Sequence, residues 1–224
     1  MKVKLISYSQ PSKEMLDQGL EDVQDLIAFC ARVSNPSNQY NTETAEKLIK
    51  YLIKHKHWSP LEMASATLEI ETTRDIARQI LRHRSFSFQE FSQRYADPTK
   101  DLDFTTKEAR LQDTVNRQNS IPTDNEYIKE RWEEEQLKVI QQCRQAYKWA
   151  IENGIAKEQA RAVLPEGLTM SRMYMNGTLR SWIHFIEIRS GNGTQKEHME
   201  VARECACAIA AIFPMVADFV QDIE

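Results

Sequence analysis

Glycine is scarce in this chain: 6 of 224 residues, at Gly19, Gly154, Gly167, Gly177, Gly191 and Gly193. Neither G-x-G-x-x-G nor G-x-x-x-x-G-K-[ST] can be drawn from these positions. That removes the Rossmann fingerprint and the P-loop, the two common ways of cradling phosphate on backbone N–H groups. A phosphate bound here must be held by side chains. Cysteine is sparse too. Cys30, Cys143 and Cys205 fall on apolar helical stripes, and Cys205-x-Cys207 has no second pair, so no zinc ligand set is present. Buried thiols in a reducing compartment fit this pattern. No apolar run approaches the ~20 residues of a membrane span, and the opening MKVKLISYSQ lacks the apolar region of a secretion signal. A cytoplasmic protein with no membrane partner is expected. The net charge of −4 argues against a nucleic-acid partner.

The composition is that of a globular protein, 41% hydrophobic and 28% charged, and the length suits a single domain over residues 1–224. Residues 2–8 alternate as a short strand, and Ala66, Leu68, Ile70 and Thr72 alternate as a half-buried one. Helical spacing marks Leu20–Val33, Thr42–His55 and a helix from Thr72 or Thr73 to about Arg84 that carries Arg74, Arg78 and Arg82 on one face. Ser85–Tyr95 reads as an irregular loop and 96–125 as a polar surface excursion. A long helix follows over about Asn125–Asn153, closed by Gly154, then a short one over Glu158–Leu164. Thr169–Met175 is strand-like, Asn176-Gly177-Thr178 opens a helix over Leu179–Arg189, and a last helix spans Gln195 to about Phe213. Helices dominate, with few strands between them. The fold class is α+β, a helix-rich domain around a small, largely antiparallel sheet.

Against an acidic whole, Arg74–Arg94 holds five arginines and two acids (Asp75, Glu90), a local balance of +3. Its core reads RHRSFSFQEFSQRY. Arginine is a permanently charged fork suited to bidentate phosphate or carboxylate recognition. Ser92 has arginine beside it but no base, so it suits the role of anion ligand better than nucleophile. Farther on, Arg161 sits among Ala160, Ala162, Val163 and Leu164, where burial is costly without an anion; pairing with Glu158 or Glu166 is the structural alternative. His55-x-His57 lacks the further ligands of a metal site, and His198 reads as a surface residue. On residues alone three readings stay open: an enzyme, a non-catalytic nucleotide- or anion-binding module, or a scaffold whose arginines pair with acids.

Arg82-His83-Arg84, seven residues, then Ser92 resembles the R-H-R-x7-S signature of the flavin-dependent thymidylate synthases. His57-Trp58-Ser59-Pro60 resembles their His-x-[Thr/Ser]-Pro turn. Gln79 precedes the motif as theirs does, Arg161-x-x-Leu164-Pro165 matches R-x-x-L-P, and Arg180-Ser181 through Arg189 to Gln195 follows their C-terminal pattern. The resemblance implies methylation of dUMP to dTMP, with methylenetetrahydrofolate as one-carbon donor and NADPH as reductant through FAD. It needs no cysteine nucleophile. By similarity Gln79, Arg82, Glu90, Ser92, Gln93, Arg94, Arg161 and Arg189 would hold dUMP, Arg189 serving as the catalytic residue at the uracil edge. His57, Ser59, Arg82, His83, Arg84, Glu90, Thr178, Leu179, Arg180 and His184 would contact FAD. The resemblance further implies a homotetramer whose sites are shared between subunits.

Overall fold

A computed structural model describes residues 1–221; positions 222–224 of the expected domain lie outside the described residues. The chain opens with β1 (Lys2–Tyr8), α1 (Lys13–Asp17), α2 (Val23–Ala31) and α3 (Ala45–Lys54). β2 (Ser65–Thr73) runs directly into α4 (Arg74–Ile80), followed by β3 (Ser87–Glu90), α5 (Pro98–Asp101) and the hairpin β4 (Arg110–Gln112) and β5 (Ser120–Pro122). The long α6 (Glu126–Glu152), α7 (Lys157–Ala160), β6 (Met170–Thr178), α8 (Leu179–Arg189) and α9 (Lys196–Ala210) complete it. Among the described residues no helix is long and apolar enough to cross a membrane.

β1, β2, β6 and β3 lie side by side in that order, every pairing antiparallel. The alternation expected of β2 is observed: Ala66, Leu68, Ile70 and Thr72 are buried while Ser65, Thr67, Glu69 and Glu71 face the other side. On the buried face α9 packs against β1 and β2, and α8 packs beside α9. Ile76, Ile80, Trp182, Phe185, Ile186, Val201, Cys205 and Ile209 fill the space between. An α+β architecture follows from this one-sided burial, since the sheet's apolar face has helices to cover it.

Three expectations are corrected. Ser85–Tyr95 is not wholly irregular: Ser87–Glu90 is a strand paired with Asn176–Met173. The strand's only apolar residue is Phe88, since Phe86 precedes it. β6 runs on through Asn176 and Gly177, with only Thr178 left to cap α8 by accepting from the Ser181 N–H at 3.3 Å. α4 ends at Ile80, so Arg82-His83-Arg84 sits in the turn after it. Within the 96–125 excursion, Gln136 on α6 accepts from the Lys107 N–H at 2.8 Å and donates to its carbonyl at 2.9 Å, which ties the segment to α6.

One contact fastens the basic motif to the sheet. Phe86 lies against Gly177, where a β-carbon would meet its ring at 2.4 and 2.5 Å, and its ring stacks edge-on with Trp182 at 4.8 Å. Glycine is required there because a phenyl ring occupies the side-chain space. Gly177→Ala is expected to destabilise the fold by about 1–3 kcal/mol through overpacking and to disturb the adjoining Arg82–Arg84 turn. Urea unfolding checks it; wild-type stability in the variant would contradict the packing described.

Candidate functional site

The first two N–H groups of α4, those of Arg74 and Asp75, donate to the carbonyls of Thr169 and Glu166 at 3.0 and 3.2 Å. This docks the arginine face of α4 onto the segment carrying Arg161. Arg74, Arg78, Gln93, Glu158, Arg161 and Glu166 consequently line one pocket, about 340 Å³ in volume. Its acids are already committed. Glu166 pairs with Arg78 and lies 3.9 Å from Arg74; Glu158 lies 3.6 Å from Arg94. Glu90 lies 3.5 Å from Arg74 and accepts from Ser171 at 2.9 Å. Arg161 is therefore left without an ion-pair partner among the described residues, and the pairing with Glu158 or Glu166 does not form. Gln93 is 4% exposed, yet its Nε2 has no hydrogen-bond partner. An unpaired buried donor costs roughly 1–3 kcal/mol. A free guanidinium and a free amide donor in one pocket suit an anionic oxygen. The Ser92 hydroxyl accepts from the Arg94 N–H at 3.4 Å, so its own proton is available to donate.

A second group forms where the turn after α4 meets α8 and α9. Arg189 donates through Nε to His83 Nε2 at 3.1 Å, which puts the His83 ring proton on Nδ1. Arg189 has no carboxylate partner among the described residues. Gln79 donates to Gln195 Oε1 at 2.8 Å, and its own Oε1 lies 3.2 Å from His198 Nδ1. His198 was expected at the surface and is instead 1% exposed. It continues the buried stripe of Val201, Ala202 and Cys205, three, four and seven residues on; that spacing is the signal by which the sequence could have revealed it.

A third group lines a cleft of about 540 Å³: Lys56, Trp58, Glu62, Ser85, Arg180, Ser181, Ile183, His184 and Glu187. Arg180 and His184 are brought together here, one turn apart on α8, with Arg180 paired to Glu62. His57 and Ser59 flank Trp58 and are exposed. Leu179 departs from the expectation: its side chain is buried in the core and its N–H is held by the Ala64 carbonyl at 2.9 Å. Only its carbonyl could meet a cofactor. Arg82 and Arg84 are exposed and pair with no carboxylate among the described residues. Arg74, Arg78, Trp58, Glu62 and His198 were not singled out as ligands. The i, i+4 spacing of Arg74 and Arg78 placed them on the correct face, but sequence spacing does not reveal which face a distant segment will cover.

Both histidines of the second group are held neutral. Burial, then the positive fields of Arg189, His184 and Arg82, bring His83 down to about 4. Burial, then Arg189 and His83, bring His198 down to about 3. The unfolded chain takes up these protons near pH 6.5 while the folded chain does not, so stability falls as pH drops below 6.5. For buried His198 the loss is about 1.4 kcal/mol per pH unit, and it is smaller for half-buried His83. Urea unfolding between pH 7 and pH 5 should show a shallower decline for His198→Phe than for wild type; parallel declines would contradict the assignment. The thiols offer no competing chemistry. Burial raises the pKa of Cys30, Cys143 and Cys205, and no cysteine lines either the arginine pocket or the α8 cleft.

The family described as Thymidylate synthase complementing protein matches residues 15–215. A probable flavin-dependent thymidylate synthase of Paramecium bursaria Chlorella virus 1 is 49% identical over 97% of this chain and 97% of its own. The flavin-dependent thymidylate synthase of a Synechocystis strain is 45% identical over 97% and 98% respectively. Among solved structures, the UMP/dUMP methylase PolB from Streptomyces cacaoi bound with 5-Br dUMP superimposes with a TM-score of 0.77. It is 23% identical, over 97% of this chain and 93% of its own, and shares the fold. The family match across most of the chain and the two near full-length relatives together mean that this chain belongs to the flavin-dependent thymidylate synthases.

Proposed function

We propose that the chain converts dUMP to dTMP by reductive methylation, with FAD bound by the α8 cleft and the Arg82–Arg84 turn, and with methylenetetrahydrofolate and NADPH as cosubstrates. The observation that carries the nucleotide half is Arg161: half-buried, unpaired and sharing its pocket with the unsatisfied Nε2 of Gln93. Such a site is unbalanced without an anion. A phosphate dianion would take Arg161, Arg94, Gln93 and the Ser92 hydroxyl as donors, while Glu90 and Glu166 keep Arg74 and Arg78 oriented.

The flavin site passes a similar test. Arg82 and Arg84 are cations without acids, next to a cleft that offers the Trp58 indole, the Arg180 guanidinium and the Ser85 hydroxyl. These suit a diphosphate and an aromatic ring system. Once bound, the flavin supplies the reducing equivalents for the one-carbon transfer. His57, Ser59, Thr178, Leu179 through its carbonyl, and His184 complete its contacts in this reading.

Arg189 is the catalytic residue. Its guanidinium, held by neutral His83, stabilises charge that develops on the uracil edge, a contribution of roughly 3–4 kcal/mol for one well-placed donor. The neutral state of His83 matters because it can accept from Arg189 without competing for that charge. The cysteines stay out of the reaction: burial raises the pKa of Cys30, Cys143 and Cys205, and no cysteine lines the arginine pocket or the α8 cleft.

The anion pocket, the Arg189 group and the α8 cleft share no lining residue. A homotetramer with sites shared between subunits is the assembly that would join them. α6 also leaves Tyr127, Trp132, Leu137, Val139 and Trp149 exposed, an apolar surface that subunit contacts would cover. A second reading, a non-catalytic anion-binding module, would use the same arginines but leave the unpaired Arg82–Arg84 turn without a role.

The purified protein should be yellow with an oxidised-flavin spectrum and should form dTMP from dUMP, methylenetetrahydrofolate and NADPH. No product from flavin-replete protein would sink the reading. Arg161→Ala should weaken dUMP binding by at least tenfold with flavin retained, as the loss of one charge-assisted contact requires; unchanged affinity would mean that the phosphate lies elsewhere. For shared sites, mixing inactive Arg84→Ala and Arg161→Ala proteins should restore activity, because a mixed tetramer holds some sites with neither change. A mixture that stays inactive after subunit exchange would show that each subunit carries a whole site.

A further inference from the structure

Beside Arg189 the hydrogen bonds form a directed chain, and its direction can be deduced from one end. The Glu197 carboxylate can only accept. Burial acts to raise its pKa, but its own backbone N–H, Gln195, Arg110 and Lys107 outweigh burial and keep it ionised. Arg110 pairs with one of its oxygens. The group 2.8 Å from its other oxygen must therefore be the amide nitrogen of Gln195. That turns the Gln195 oxygen toward Gln79, so the partner at 2.8 Å is the Gln79 nitrogen. The Gln79 oxygen then faces His198 Nδ1 at 3.2 Å, which must carry the ring proton. The same logic leaves His198 Nε2 unprotonated; it is buried and has no partner.

From this chain we infer that His198 is a positioning residue that fixes the orientation of the Gln79 amide. Its role is to make the site present a donor. Gln79 spends its oxygen on His198 and one N–H on Gln195, so a second N–H is left to meet substrate. Were the amide reversed, the same spot would offer an oxygen and would repel the carbonyl and phosphate oxygens of a nucleotide. A carboxylate at Glu197, two amides and a neutral imidazole together set one polarity. The His198 and His83 rings have centroids 6.2 Å apart, and burial, then the fields of Arg189 and His83, disfavour protonation of the His198 Nε2 lone pair. The inference rests on the reading of Gln79 as a nucleotide contact.

Three variants separate positioning from packing. His198→Phe keeps a ring and removes the Nδ1 donor. His198→Asn keeps an N–H where Nδ1 stood. Glu197→Gln removes the group that sets the direction while leaving the His198 ring in place. The KM for dUMP and kcat are measured in flavin-replete protein, with dUMP affinity measured by calorimetry in parallel. His198→Phe and Glu197→Gln should each weaken dUMP binding and raise its KM by tenfold or more, while His198→Asn should stay within about threefold of wild type. Nitrogen NMR of histidine-labelled wild-type protein should show His198 protonated on Nδ1. The inference is overturned by an Nε2-protonated tautomer, by wild-type dUMP affinity in His198→Phe, or by His198→Asn failing as badly as His198→Phe while Glu197→Gln behaves as wild type. If His198→Phe does not fold, Glu197→Gln and the tautomer still decide. A wild-type protein that binds dUMP but forms no dTMP would sink the proposed reaction and leave the affinity comparison intact.

Discussion

The packing of Phe86 into the space that Gly177 leaves open is the constraint on which the rest of the site depends. Four segments meet there. Phe86 belongs to the basic motif, Gly177 to β6, its strand partner Ala66 to β2, and Trp182 to α8. Trp182 is fully buried and donates its indole N–H to the Ala66 carbonyl at 3.0 Å, so the indole is both packed and satisfied. Because β2 continues without a break into α4 and β6 into α8, fixing two adjacent strands also fixes where both helices begin. Arg74 and Arg78 on α4, and Arg180 and Arg189 on α8, inherit their positions from that junction.

Charge is distributed unevenly over this frame. Arg74, Arg78, Arg94, Arg110 and Arg180 each have a carboxylate, whereas Arg82, Arg84, Arg161 and Arg189 have none among the described residues. Among the arginines that the family resemblance assigns to ligands, Arg82, Arg84, Arg161 and Arg189 lack an acid, while Arg94 and Arg180 hold Glu158 and Glu62. Exposed pairs contribute little to stability. What the paired acids supply is orientation, and the absence of acids elsewhere leaves positive field for use.

The sequence was most legible where periodicity was long or capped. β1 was bounded as Lys2–Tyr8 and α8 as Leu179–Arg189, and α6 differed from its expected span by one residue at each end. Thr178 before α8 and Gly154 after α6, at φ 76°, carried those boundaries. β3 was missed because it is four residues long and edge-paired, with Phe88 its one apolar residue between polar neighbours. His198 was misread because histidine is polar as a type, although its place on the Val201–Cys205 stripe pointed inward. The partners of Glu158 and Glu166 were not legible at all. Both lie near Arg161 in sequence, yet tertiary docking brought Arg94, Arg74 and Arg78 closer. The separation of expected ligands into three groups has the same origin, for sequence order carries no information about which segments tertiary packing brings together.

Arg189 illustrates what neutral company does for a half-buried cation. A carboxylate partner would fix the guanidinium but cancel much of its field, and a protonated histidine would repel it. Burial solves both difficulties. It disfavours the charged form of His83 and His198, and the guanidinium itself deepens that preference. A neutral imidazole still accepts a hydrogen bond, so His83 orients Arg189 at 3.1 Å without neutralising it. The cost is two imidazoles unable to take up protons that the unfolded chain would bind readily. That cost grows below about pH 6.5, so near neutral pH it is small while the positive charge of Arg189 stays uncancelled.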